Sequence, residues 1–256
     1  MPYWLCAAEG GRRRRPRRRF PSMGSSGTEA PAVDRNRDDP LVMYYVVRSG
    51  VPFSLGQAME AAGAAAVDCV ERFAGDQRFK PAFEAWHQRP RKVALRADEG
   101  EFARVKEEEP CAVRRDILLC LPPRRRSERS ALLEALDPFT DAPRPKDEPA
   151  AAEETPVMRY VIRPGVMRTA GKAMAQAGHA ALMCVERFGD AYAERFDAWR
   201  ESGRHGELLR ADDAEWERLK GDPEAVVVSD AGHTQVAPGT ETVIALVPSS
   251  RAGRRA

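Results

Sequence analysis

Lys172, Gln176 and His179 stand at i, i+4 and i+7 of an Ala-rich run that reads as a long helix, so they share one face. An amine, an amide and an imidazole in one row, near the start of a helix that follows a strand, can bind and polarise a phosphate or an ester. Each also has a plainer reading. A single helical Lys is usually solvated, and a His between Gly178 and Ala180 can simply fill a close helix–sheet contact. Further along, Ser229–Thr242 forms a loop dense in Asp, Gly, Thr and Pro. It lies between Ala225–Val228 and Thr242–Val247, two β-branched runs that read as buried strands. Gly232 and Gly239 admit backbone angles that other residues resist, and Pro238 stiffens the return. A polar loop between buried strands is a common place for a site, although composition alone favours a plain β-turn connection.

The elements that must position these groups occur twice. Met43–Val51 returns as Met158–Val166 at an offset of 115 residues, and Cys69-Val70-Glu71-Arg72-Phe73 returns as Cys184-Val185-Glu186-Arg187-Phe188. Phe83-Glu84-Ala85-Trp86 is answered by Phe196-Asp197-Ala198-Trp199, and Leu95-Arg96-Ala97-Asp98 by Leu209-Arg210-Ala211-Asp212. Each copy reads as a strand (42–48, 157–163), a long helix (55–73, 170–188), a Trp-bearing helix (77–88, 190–202) and a short strand (93–97, 207–211). A third helix capped by Asp98 or Asp212 follows. The pattern predicts two tandem α/β sandwiches, each a mixed, mainly parallel sheet flanked by helices. The repeat also provides an internal control. At the positions of Lys172, Gln176 and His179 the first copy has Gln57, Ala61 and Ala64, and it lacks most of the strand-and-loop segment. The polar row and the loop are lost together while the scaffold is kept, which points to one site in the second copy and a degenerate first copy.

The division that follows is an Arg-rich, disordered leader over 1–40, a first domain over 41–136, an extended linker over 137–156, a second domain over 157–248 and a basic tail over 249–256. Ser127–Leu136 reads as a helix that closes the first copy. The net charge of +2 is concentrated in the leader, where 9 basic and 5 acidic residues give +4, so the folded part is not a broadly basic nucleic-acid binder. Five cysteines without a CxxC argue against a disulfide framework or zinc ribbon and suit a reducing compartment, the cytoplasm. His87, His205 and His233 lack metal-ligand spacing, and no run is long enough for a membrane span. Gly165–Ala173 resembles a P-loop but has one residue too many between its glycines. It also has Ala173 where a Mg²⁺-binding Ser or Thr is needed.

Gly171-Lys172-x-x-Ala175-Gln176-x-x-His179-Ala180-Ala181, then Trp199, then Asp230-Ala231-Gly232-His233-Thr234-Gln235-Val236-Ala237-Pro238-Gly239-Thr240-x-Thr242-Val243, resembles the type-2 peptidyl-tRNA hydrolases of archaea and eukaryotes. The resemblance covers about 156–248, and the first copy shares only the scaffold. It implies a compact α/β fold and hydrolysis of the ester between a stalled peptide and the 3′ ribose of tRNA, with no metal or organic cofactor. It implies Lys172, Asp230 and Thr234 as catalytic residues, and Gln176, His179, Gln235 and Thr242 as substrate-binding residues. It also implies peptidyl-tRNA as partner and a pairing of the two copies, or of two chains, as a dimer. One position departs from the family: members commonly carry Lys-Gly-Lys at the helix start, and here the first Lys is Ala170. A tRNA- or ribosome-binding module without turnover is the alternative that this departure raises.

Overall fold

The computed structural model describes residues 39–142, 154–167, 169–232 and 236–250. Most of the expected leader, of the linker and of the basic tail lies outside the described residues. The first copy contains β1 (Leu41–Arg48), α1 (Leu55–Phe73), α2 (Lys80–Gln88), β2 (Lys92–Ala97), α3 (Glu99–Glu108), β3 (Ala112–Arg114), β4 (Leu118–Arg125), α4 (Ala131–Glu134) and β5 (Asp137–Pro138). The second contains β6 (Val157–Ile162), α5 (Ala170–Phe188), α6 (Ala193–Glu201), β7 (His205–Leu209), α7 (Asp213–Lys220), β8 (Ala225–Ser229) and β9 (Glu241–Ser249).

The first sheet has the order β3-β4-β1-β2-β5 and the second β7-β6-β9-β8, so the two share one topology apart from the added β5. Among the described residues only β1–β2 and β6–β7 are parallel. The remaining pairs, β1–β4, β3–β4, β2–β5, β6–β9 and β8–β9, are antiparallel. The sheets are therefore mixed, but not mainly parallel as strand–helix alternation suggested. Strands β3 and β4 in the first copy, and β8 and β9 in the second, are joined by a turn or loop without a crossover helix, and such a connection makes neighbouring strands antiparallel.

Each sheet is covered on both faces. Met43, Tyr45 and Val47 of β1 pack on the alanines of α1, while Val42, Tyr44 and Val46 pack on Phe102, Val105, Leu133 and Leu136. Met158 and Tyr160 of β6 face α5, and Val161 faces Trp216 and Leu219. This alternation follows from the two-residue period of a strand. The expected helix over 127–136 shrinks to a short 3₁₀ turn, Arg126–Glu128, and the single turn of α4. Leu133 and Leu136 are drawn into the core behind β1, and the chain then pairs along β2. The start of the expected linker thus belongs to the first sheet as β5.

The loop between the last two strands is where the copies part. The first copy keeps a short β3 and replaces the loop with a two-residue turn, Arg115-Asp116, with φ values of 50° and 51°. Ile117 N–H donates to the Arg114 carbonyl at 3.0 Å. Left-handed angles at both central residues define the tight hairpin turn. The second copy holds β8 and β9 apart with residues 230–240.

The two copies meet through α1 and α5, whose alanine faces allow close approach. The contact is reciprocal. The Tyr45 hydroxyl, which donates to Ala62 O at 3.0 Å, lies where a Cβ on Gly178 would stand. The Tyr160 hydroxyl lies where a Cβ on Gly63 would stand. Ion pairs close the rim, Arg204 with Asp68 and Glu71 and Arg200 with Glu71, and His87 Nε2 lies 3.2 Å from Glu186 Oε1.

Candidate active site

The site begins with the two ends of sequence that the fold brings together. Thr169 caps α5, its hydroxyl accepting from Lys172 N–H at 3.3 Å. The cap fixes the first turn, and Lys172 and Gln176, one turn apart, then point towards the end of β8. There Asp230 leaves the strand. Its N–H donates to Thr240 O at 2.8 Å and its own carbonyl accepts from Gly239 N–H at 2.7 Å, so the base of the loop is pinned on both sides of this residue. Gly232, with φ of 78°, packs directly against Pro238, leaving no room for a side chain. That turn aims Gly232 N–H at Asp230 Oδ1, 2.7 Å away.

Asp230 is 5% exposed, and three donors converge on its carboxylate. Lys172 Nζ and Gln176 Nε2 both reach Oδ2, and Gly232 N–H takes Oδ1. Gln176 is held in turn. The Thr242 hydroxyl, fully buried, lies 3.1 Å from both Gln176 Oε1 and the Val228 carbonyl. An ionised carboxylate has about four acceptor positions, so one remains for a water or a substrate group. The arrangement is a buried ion pair at the base of the loop, chemically able to orient a water through the anion and to offset negative charge on an oxygen through the ammonium. Burial strengthens both effects.

Of the residues singled out in the sequence, Lys172, Gln176, Asp230 and Thr242 come together. Thr234 and Gln235 lie outside the described residues. His179 does not join them. It lies about 10 Å from Lys172 and about 4.5 Å from Gln176 along the helix axis, where the first copy covers the same face. Its ring stacks on Trp86 with centroids 6.2 Å apart, and its Nδ1 is 3.1 Å from Lys92 Nζ. The helical row is real over one turn, and tertiary packing takes its last member. Lys92 and the Val228 carbonyl have no signal in the residue pattern, because each acts through partners distant in sequence.

Lys92 is buried, sits 4.4 Å from the Trp86 ring centre and, among the described residues, has no carboxylate partner. Burial lowers its pKa to about 7, against the smaller opposing pull of Cys120 and Cys69. Burial, then Lys92, then Lys172 hold the His179 pKa well below its ordinary value. Both groups bind fewer protons in the folded protein than in the unfolded chain, so protonation weakens the folded state. The thermal midpoint is expected to fall as pH drops from about 10 towards 7 through Lys92, and again below about 6.5 through His179. Lys92→Met should remove the alkaline part of this slope, as calorimetry across pH would show.

Ala170 lies at the crossing of the two copies. Its N–H donates to Asp141 O at 2.9 Å, Phe139 O sits against Gly171, and Arg96 pairs with Asp141. The residues after β5 therefore run over the first turn of α5, and Ala170 is 5% exposed beneath them. A long cationic side chain at this position would displace that segment or bury an unpaired charge.

Comparison with known proteins gives one consistent answer. The family described as Peptidyl-tRNA hydrolase PTH2 matches residues 157–253. A protein of Pyrobaculum aerophilum named peptidyl-tRNA hydrolase is 45% identical over 101 residues, which cover 36% of this chain and 83% of the relative. Relatives of the same name from Haloquadratum walsbyi and Thermoplasma acidophilum are 37% and 32% identical over 97 residues, with 83% of each relative covered. The matched part of this chain contains β6 to β9 and hence the whole Asp230 cluster.

Proposed function

The chain belongs to the peptidyl-tRNA hydrolase PTH2 family, and from that premise we propose that its second copy hydrolyses the ester joining a peptide to the 3′ ribose of tRNA. The observation that carries this reading is the Asp230 carboxylate, fixed by Lys172, Gln176 and Gly232 with one acceptor position open. In the reaction a water oxygen attacks the ester carbonyl carbon. The bond from that carbon to the ribose oxygen breaks, and the ribose oxygen takes up a proton. Asp230 orients the attacking water and accepts hydrogen bonding from it. Lys172 stabilises the oxyanion that forms on the carbonyl oxygen. Gln176 and Thr242 hold Asp230 in register, and Thr234 and Gln235, on the same loop, contact the substrate. No step calls on a metal or an organic cofactor.

The first copy, with a two-residue turn in place of the loop and with Gln57, Ala61 and Ala64 in place of the polar row, serves as a non-catalytic partner docked on α5. His179 belongs to this docking contact in our reading. The pair thus works as an intramolecular dimer, and its place of action is the cytoplasm. Among the described residues no helix is long and apolar enough to cross a membrane. The names of the relatives do not favour a binding module without turnover. The test is deacylation of N-acetyl-aminoacyl-tRNA by the full chain. Release of N-acetyl amino acid and intact tRNA is expected, and tight tRNA binding with no release would overturn the reading.

A further inference from the structure

We propose that the peptide arm of the substrate binds as an added strand along the free edge of β8; this rests on the hydrolase reading and assigns the part of the substrate that the Asp230 cluster leaves unheld. The strand β8 ends one residue before Asp230. Among the described residues it is the last strand of its sheet and pairs only with β9. Val247 N–H donates to Glu224 O at 3.1 Å, and the Thr242 hydroxyl lies 3.1 Å from Val228 O. Both fix the phase of the ladder: residues 224, 226 and 228 turn their main-chain groups towards β9, and Ala225 and Val227 turn theirs outward. Ala225 N–H is taken by Asp222 O at 3.0 Å, so Val227 presents the outward-facing amide and carbonyl.

A groove of about 560 Å³ runs beside this edge. Its walls include Met183, Glu186 and Arg187 of α5 on one side and Lys220 and Pro223 on the other. Met183, 40% exposed, is one of two large apolar side chains left open to solvent among the described residues. The helix and the strand run in opposite directions here. Lys172 and Gln176 stand at the Asp230 end, and Arg187 stands at the start of β8. From Gln176 to Arg187 the helix rises about 16 Å, and the five residues of β8 span about 17 Å. The groove lies along the first part of the strand, from Pro223 to Val227, and the open edge carries on from there to Asp230, a distance that four or five extended residues cover.

The chemistry of the substrate fits this edge. Peptides on stalled tRNAs have no common sequence, but each has the same main chain. An open strand reads N–H and C=O groups irrespective of side chains. With its ester carbonyl at Asp230, the peptide must lie parallel to β8, its earlier residues extending towards Pro223. Met183 and the aliphatic stems of Arg187 and Lys220 then give side chains of any type a tolerant floor.

The experiment compares peptidyl-tRNAs that differ only in peptide length, from N-acetyl-aminoacyl to hexapeptidyl, on the full chain. The value of kcat/KM is expected to rise about tenfold, equivalent to two main-chain hydrogen bonds, and to level off after four or five residues. A peptide N-methylated opposite Val227 should lose that gain, and Val227→Pro should lose it for long peptides while cleaving N-acetyl-aminoacyl-tRNA normally. Amide exchange at Val227 should slow when a free pentapeptide acid is added, a readout independent of turnover. A flat length dependence, equal cleavage of the N-methylated peptide, or an unprotected Val227 amide overturns the proposal while leaving the hydrolase reading intact. Protection that grows with protein concentration in the absence of peptide would assign the edge to a second copy of the chain and overturn it equally. Failure to cleave even N-acetyl-aminoacyl-tRNA removes the hydrolase reading and this one with it.

Discussion

Asp230→Asn is expected to lower kcat for N-acetyl-aminoacyl-tRNA by about 10²–10⁴-fold with little change in KM. The amide is the same size but has one acceptor oxygen where the carboxylate has two, and it is neutral. Three donors converge on this group in the folded protein, so the substitution leaves at least one of them unpaired. Lys172 then stands as a mostly buried cation, 11% exposed at its side chain, without its anion. Breaking one side of such a pair costs roughly 3–5 kcal/mol. The loss of activity must therefore be separated from a loss of fold. Asp230→Asn with Lys172→Met removes the orphan charge and is expected to recover most of the thermal midpoint while remaining inactive. Full turnover by the single variant would show that the carboxylate does not take part. An inactive single variant with wild-type activity in the double variant would show that its role is structural only.

The second large effect is expected at the crossing of the two long helices. A methyl group on Gly178 would overlap the Tyr45 hydroxyl, and the ring carbon that bears the hydroxyl lies 3.1 Å away. Tyr45 is fully buried and donates to Ala62, so it has no simple way to withdraw. Gly178→Ala should cost about 1–3 kcal/mol through overpacking. Because Gly178 shares a helix with Lys172 and Gln176, the activity should fall with the docking. Tyr45→Phe removes the clashing atom at the loss of one buried hydrogen bond, about 0.5–1.5 kcal/mol. The pair of substitutions should be more stable than Gly178→Ala alone, a coupling that a double-mutant cycle measures directly. Additive effects would mean that the helices do not meet as described.

These two sites also mark how far the sequence could be read. The repeat was legible because packing dictates it. Glycines 63 and 178 and tyrosines 45 and 160 recur at the same offset, since each crossing requires both partners. The loop was legible through its β-branched flanks and its glycines. Lys172 and Gln176 were legible through helical spacing, and Asp230 only through the resemblance. Spacing puts His179 on the face of Lys172 and Gln176 but does not report what covers that face farther along, where Trp86 and Lys92 meet the ring. The strand directions were misjudged for a similar reason. Helix–strand alternation says nothing of a last pair joined by a turn. Lys92 was invisible: in the second copy its place in the register falls at Gly206, which faces Glu60 and Tyr160, so the repeat offered no matching residue to compare.

The crossing of α1 and α5 has a consequence for concentration. Two separate chains joined by such a face would separate on dilution, and their working form would depend on how much protein the cell makes. Within one chain the same encounter is unimolecular, at an effective concentration that a short tether sets in the millimolar range. The paired form therefore persists however scarce the protein is. A copy held in place this way need not be able to act alone, which is compatible with its two-residue turn and with Gln57, Ala61 and Ala64 on its helix.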